Sequence, residues 1–212
     1  MEQKEKHLQD ITEIRQLMER SSRFLSLSGF SGILVGIFAL IGAAAAYWYL
    51  DMDFNLARYY DYTRDANGQV NRDFYTFFFT DALLVLAASL GVAYYYSSKN
   101  ARRRGTTIWD GPAKRLIINL MLPLIAGGFF CLILLYHGLV GLVAPVTLLF
   151  YGLALLNASK YTYDDIRALG LCEMALGLLA AFYLGYGLLF WAIGFGVLHI
   201  IYGVLLYRKY ER

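Results

Sequence analysis

The sequence predicts an all-α membrane protein: six transmembrane helices, both termini on the inner side, and an amphipathic cytoplasmic helix at the N-terminus. Three observations carry that expectation. Hydrophobic residues make up 58% of the 212-residue chain. Charged residues are 17%, against about 25% in soluble domains. Lys and Arg also fall almost entirely on one side of the expected topology. This composition excludes a disordered chain, a soluble basic nucleic-acid binder and a disulfide-stapled secreted domain. The 20 Gly, 18 Tyr, 14 Phe and 3 Trp suit a bilayer protein, with Gly at helix contacts and aromatics at interfaces.

Residues 1–23 come first. Leu8, Ile11, Ile14, Met18, Ser22 and Leu25 recur at three- and four-residue steps between charged positions, the pattern of an amphipathic helix. Such a helix lies on the inner leaflet, or meets a cytoplasmic or membrane protein partner or a second copy. No Gly or Pro separates it from the first span, so the helix is expected to run on into the membrane. Ala43 to Ala46 offers a superficial cleavage site. The long acidic leader and the full spanning length argue for a retained anchor instead of a signal peptide.

A spanning helix needs roughly 20 mostly apolar residues. The stretches that qualify are 24–50, 74–96, 116–136, 139–156, 166–184 and 188–207, together a transmembrane domain over 24–207. The third and fourth form one long run broken at His137-Gly138, and the fifth and sixth another broken at Gly185-Tyr186-Gly187. Each run is expected to fold as a tight helical hairpin. Gly32-x-x-x-Gly36 on the first span offers a close contact, either within one chain or between two.

Orientation follows from the basic residues. Segments 1–23, 97–115, 159–167 and 208–212 hold 16 of the 19 Lys and Arg, so the positive-inside rule places them in the cytoplasm. The expected outer loop 51–73 holds the other three against five Asp. Its Asn67-Gly68 is a turn signal, and residues 59–63 and 69–75 are candidates for a short hairpin. Thr63-x-Asp65-x-Asn67-Gly68 approaches a calcium loop but lacks the necessary first and twelfth ligands, so no metal is expected. The inner loop 97–115 and the tail 208–212 are basic surfaces suited to anionic lipid, with no Gly-rich phosphate cradle and no feature of nucleic-acid recognition. Cys131 and Cys172 lie apart in apolar spans and read as packed residues.

Ionisable groups inside spans are costly, and they mark the candidate site. Glu173 lies thirteen residues before Tyr186 and His199 thirteen after it, so a hairpin turning at Tyr186 places both at one depth. Gly170, Glu173, Gly177 and Ala180 share a face of the fifth span, and Ala192, Gly196, His199 and Gly203 share one on the sixth. These small-residue stripes are expected to face each other and bring carboxyl and imidazole together, with Tyr202 and Cys172 nearby. Burial disfavours the charged form of each group and pairing restores it, which describes a proton- or ligand-responsive site. The bland alternative is a structural interhelical hydrogen bond.

Asn119 and Asn157 lie symmetrically about Gly138, near the inner ends of their spans. With Arg167 they are expected to form a polar vestibule beneath the pair. Pro123 and Pro145 are expected to kink their helices. Asp81 stands alone in the outer half of the second span. Phe150-Tyr151-Gly152 and Ile201-Tyr202-Gly203 form a faint repeat between the two hairpins.

The runs NASKYTYDDIRALG (157–170) and GYGLLFWAIGFGVLHIIYG (185–203), together with RSSRFLSLSG (20–29), resemble a group of bacterial multi-helix integral membrane proteins to which no activity is attached. The resemblance implies a multi-pass protein of the bacterial inner membrane and carries no cofactor or site. No hydrolase, metalloprotease or cofactor fingerprint is present, and no catalytic residue is assigned. The expected function is a non-enzymatic sensory, regulatory or scaffolding role in the inner membrane. A small proton-coupled transporter or channel, and an intramembrane lipid-modifying enzyme, stand as alternatives.

Overall fold

The computed structural model describes residues 23–50, 62–64, 67–105 and 107–211. Over these residues the protein is helical, with six helices, five of them long and apolar enough to cross a membrane. It is a multi-pass membrane protein. The expected amphipathic helix at 1–23 lies outside the described residues apart from Arg23.

The helices are α1 (Gly29–Leu50), α2 (Arg72–Arg103), α3 (Gly111–Tyr136), α4 (Val143–Ala158), α5 (Asp165–Phe182) and α6. The last runs as α-helix over Gly187–Trp191, as π-helix over Ala192–Leu198 and as α-helix again over His199–Tyr210. α5 is the helix that does not qualify as a span, because 18 residues carry Asp165, Arg167 and Glu173. The turns at 137–142 and 183–186 gather at one end of the bundle, the hairpin end. Residues 23–28, 159–164 and 208–211 gather at the other, the termini end.

Glycines set how closely the helices approach. On α1, a methyl at Gly29 would lie 2.2 Å from the backbone nitrogen of Tyr207, and one at Gly36 2.6 Å from the carbonyl of Gly196. On α6, one at Gly203 would lie 2.6 Å from the backbone nitrogen of Ile33. Backbone therefore rests on backbone along α1 and α6, and the Gly32-x-x-x-Gly36 contact is made within the chain. A second such seam joins α4 to α5, where Gly152 and Gly170 meet each other's carbonyls and Gly177 meets Leu149 and Pro145. This corrects the expected facing of the two stripes. The stripe glycines Gly170 and Gly177 of α5 meet α4, and Gly196 and Gly203 of α6 meet α1, while Glu173 and His199 of the same stripes do come together.

Three local expectations also change. Residues 24–28 are not helical, and α1 starts at Gly29. Phe24 N–H donates to the Tyr161 carbonyl at 2.7 Å, Thr162 Oγ1 to the Phe24 carbonyl at 2.9 Å, and Tyr163 Oη–H to the Leu25 carbonyl. Ser26 and Ser28 add local alternatives to helical bonding. At the other end of that region, α2 extends to Arg103 and α3 begins at Gly111, so the loop expected over 97–115 shrinks to 104–110. Nothing in 97–103 breaks a helix, and Gly105 (φ 68°) reverses the chain just beyond it. Of the hairpin expected between 59–63 and 69–75, the described residues show one antiparallel bridge, between Arg64 and Val70 around the Gly68 turn, and residues 59–61 lie outside them. Asn71 then caps α2 through the Phe74 N–H at 3.2 Å.

The first hairpin turn ends α3 with two reciprocal bonds. Leu139 N–H donates to the Leu134 carbonyl at 2.8 Å and Gly138 N–H to the Leu135 carbonyl at 3.0 Å, with Gly138 at φ 73°. Pro145 sits in the first turn of α4, where no intrahelical donor is lost, so it does not kink that helix. Pro123 lies within α3.

At the termini end Asp165 accepts Lys209 Nζ at 3.0 Å and Tyr210 Oη at 2.8 Å, tying α5 to the end of α6. Partial burial works against the Asp165 charge, but these bonds outweigh it and hold the carboxyl below its ordinary value.

Two predictions follow from this packing. Gly203→Ala should destabilise the purified protein by about 1–3 kcal/mol, since backbone must shift. Gly91→Ala, whose methyl meets open space, should be neutral or stabilising by up to ~1 kcal/mol. Equal thermal shifts for the two would contradict the close α1–α6 seam. Separately, the Asp165 contribution is present at neutral pH and is lost as pH falls through the depressed value. The stability difference between wild type and Asp165→Asn should therefore be flat above about pH 5 and shrink below about pH 4.

Candidate functional site

Glu173 is the α5 residue facing the bundle interior one turn from each of Gly170 and Gly177. The close α4–α5 approach that those glycines permit leaves its side chain no route to the surface, and its exposure is 0%. Neither carboxyl oxygen has a hydrogen-bond partner. His199 on α6 brings its Nδ1 to 3.5 Å from Glu173 Oε1. His199 is itself buried, at 6% exposure.

Space for the carboxyl comes from Gly194, where a methyl would lie 2.4 Å from Glu173 Oε2 and 2.5 Å from Leu148. Gly194 belongs to the π-helical turn of α6. A π turn carries an extra residue and displaces the backbone ladder. Here the Gly194 carbonyl receives His199 Nδ1 at 3.0 Å. A carbonyl only accepts, so Nδ1 carries a hydrogen. In the neutral ring Nε2 is then an acceptor, and Tyr151 Oη on α4 lies 2.7 Å from it, donating its hydroxyl hydrogen.

Three helices thus converge on one network, with Glu173 from α5, His199 and the Gly194 carbonyl from α6, and Tyr151 from α4. Aromatic rings close it toward the hairpin end. Phe195 packs on Tyr151 and stacks on His199, with centroids at 4.9 and 6.0 Å, and Trp191 covers Phe195 at 4.9 Å. Toward the termini end a buried apolar cluster of Leu155, Leu169 and Leu206 fills the bundle one to two turns below the network.

Chemically, this is a buried carboxyl whose ionised form has one counter-ion among the described residues, His199. An uncompensated carboxylate in such a place is strongly disfavoured. Two forms of the site are electrically neutral: a protonated Glu173 beside a neutral imidazole, and a Glu173 carboxylate beside an imidazolium. Both hold one ionisable proton, so removing that proton leaves a buried net negative charge.

The remaining candidates lie elsewhere. Tyr202 sits beside Cys172, and Tyr151 takes the place beside His199. Asn157 Nδ2 donates to the Asn119 carbonyl at 2.9 Å and Asn119 Nδ2 to the Arg115 carbonyl at 2.8 Å, which seals the α3–α4 contact. Arg167 is exposed. These residues form no vestibule beneath the pair, because the apolar cluster intervenes. Asp81 is on α2 against Gly42 of α1. Among the described residues no group of His, Cys, Asp and Glu could hold a metal ion. Both cysteines are free. Tyr151 is the member that sequence reasoning missed. Its signal was the Phe150-Tyr151-Gly152 repeat, a tyrosine beside a contact glycine in mid-span.

No known family model, curated protein or solved structure matches the chain. Its chemistry is read from this geometry.

The geometry makes Glu173 and His199 one energetic unit. In a double-mutant cycle, Glu173→Gln and His199→Ala should show a coupling energy of about 0.5–3 kcal/mol, with the double variant little worse than the worse single one. Full additivity in thermal or denaturant unfolding would show that the two do not act together.

Proposed function

We propose that the protein is a non-enzymatic sensory or regulatory protein of the bacterial inner membrane, with both termini in the cytoplasm, and that its state is set by the single proton of the Glu173–His199–Tyr151 network. The observation that carries this reading is the fully buried Glu173 carboxyl, unbonded at both oxygens, 3.5 Å from a histidine. The bias of Lys and Arg to the termini end supports the orientation.

The π turn supplies an element with two arrangements. His199 Nδ1 donates to the Gly194 carbonyl of that turn at 3.0 Å. When the site loses its proton and Glu173 becomes an unpaired carboxylate, the imidazole is drawn from Gly194 toward Glu173. The turn can then relax to α-helical bonding, which re-aims the segment His199–Tyr210. That segment ends in Lys209 and Tyr210, which grip Asp165, and leads to Glu211, which accepts from the Gly29 N–H and from Ser28 Oγ at 3.3 Å. A change at the buried pair therefore reaches the surface from which residues 1–22 depart, where a cytoplasmic or membrane partner would read it.

The same facts weigh against the other readings. A channel or transporter needs a polar route, and Leu155, Leu169 and Leu206 block the termini side. A lipid-modifying enzyme needs its acid or base to touch substrate, and Glu173 is wholly enclosed.

Hydrogen exchange on the protein in nanodiscs tests the proposal. Between about pH 5.5 and pH 8, on either side of the ordinary histidine range, residues 192–210 should change their pH-corrected protection in wild type. Glu173→Gln should abolish that difference while leaving α1 to α3 unchanged. A pH response that persists in Glu173→Gln would overturn it.

A further inference from the structure

A cavity of about 360 Å³ lies at the hairpin end, away from the buried network. α2 packs on α1, and α3 packs on α4. The cavity is the space between these two pairs, floored by Gly42, Ala43 and Ala46 of α1 and reaching Trp191 of α6. Phe79 of α2 and Leu132 of α3 line it and are each more than half exposed, so it opens sideways onto the surface that meets lipid. Its wall is apolar and aromatic, and the charged residue in it is Asp81.

Asp81 has no hydrogen bond or ion pair among the described residues. It lies nine residues into α2, about 13 Å along the helix. The side chain is too short to carry its charge to the interface. An ionised group at such depth ordinarily faces a partner of opposite charge or water. Among the described residues no Lys or Arg lines the cavity, and Thr147 Oγ1 is already spent on the Ala144 carbonyl at 2.8 Å. A cation in the cavity would supply that partner. Phe74, Phe78 and Phe79 of α2, with Trp191 opposite, supply the aromatic faces that attract an ammonium group.

We infer that this cavity binds an amphiphile with a single ammonium-type cationic head, its head against Asp81 and its apolar body between α2 and α3. An anionic headgroup would set like charges together in an apolar wall. A neutral head would leave Asp81 to take a proton and would gain no charge pairing from it. The Trp191–Phe195–His199 contacts place the occupant one aromatic layer from the buried network. Binding itself does not depend on that network, so it stands or falls separately from the proton reading.

The test uses the full chain in phosphatidylcholine nanodiscs with Trp48→Phe and Trp109→Phe, leaving Trp191 as the sole tryptophan. Bromine-tagged dodecyltrimethylammonium and bromine-tagged dodecyl sulfate are the probes. The ammonium probe should quench Trp191 saturably, and Asp81→Asn should weaken its apparent affinity by about tenfold or more, that is about 1.4 kcal/mol. The sulfate probe should give no saturable phase. A methyl at Gly128 meets open space beside the cavity, so Gly128→Phe should fill it and abolish saturable quenching with Asp81 intact. Quenching that is merely linear in probe, equal for the two head charges, or unchanged in both Asp81→Asn and Gly128→Phe would overturn the inference.

Discussion

A carboxyl group sealed inside a membrane bundle, with neither oxygen hydrogen-bonded, is the most demanding feature of this protein. Its charge has to be neutralised by a proton or by His199, since among the described residues no other cation pairs with it. Everything around the site follows from that demand. The π turn presents the Gly194 carbonyl to His199 Nδ1, and so fixes which imidazole nitrogen carries hydrogen. Tyr151 then serves as the donor to Nε2. The absence of a side chain at Gly194 gives the carboxyl its room. An ordinary α-helical turn with alanine at that position would have nowhere to put Glu173.

The glycine seams hold these three helices in place. α4 and α5 meet through Gly152, Gly170 and Gly177, and α1 and α6 through Gly29, Gly36 and Gly203. Lipid chains are as apolar as leucine, so close van der Waals contact is what bundles such helices. Two rigid pairs result, and the network bridges them where α6 touches α4 and α5. On the proposed reading, coupling across that bridge runs through the π turn as its one bistable element. At the termini end the polar contacts of Asp165, Lys209, Tyr210 and Glu211 fasten the same helix to the two segments beside it.

Much of this arrangement was legible in the residues. Hydropathy placed the apolar segments, and the breaks at Gly138 and at Tyr186 located both hairpins. Equal spacing of Glu173 and His199 about Tyr186 put them at one depth. The partner of each small-residue stripe was not legible, because complementarity between hairpins is a three-dimensional property and every helix here carries glycine. Tyr151 escaped notice for the same reason. The π turn was hidden since inserting one residue into a helix leaves no compositional mark beyond Gly194 and Gly196. The unwound 24–28 segment depends on hydrogen bonds to residues some 140 positions away, which local propensity cannot register.

The central claim is that Glu173 and His199 hold one proton as a unit. Infrared difference spectroscopy of the protein in lipid, titrated through the neutral range, addresses it most directly by following the carbonyl stretch of a protonated carboxyl and the imidazole ring modes together. The account predicts that both signals change in one concerted step and that both disappear in Glu173→Gln. A carboxyl band that stays fixed while the imidazole titrates alone, or a band unaffected by Glu173→Gln, would contradict it.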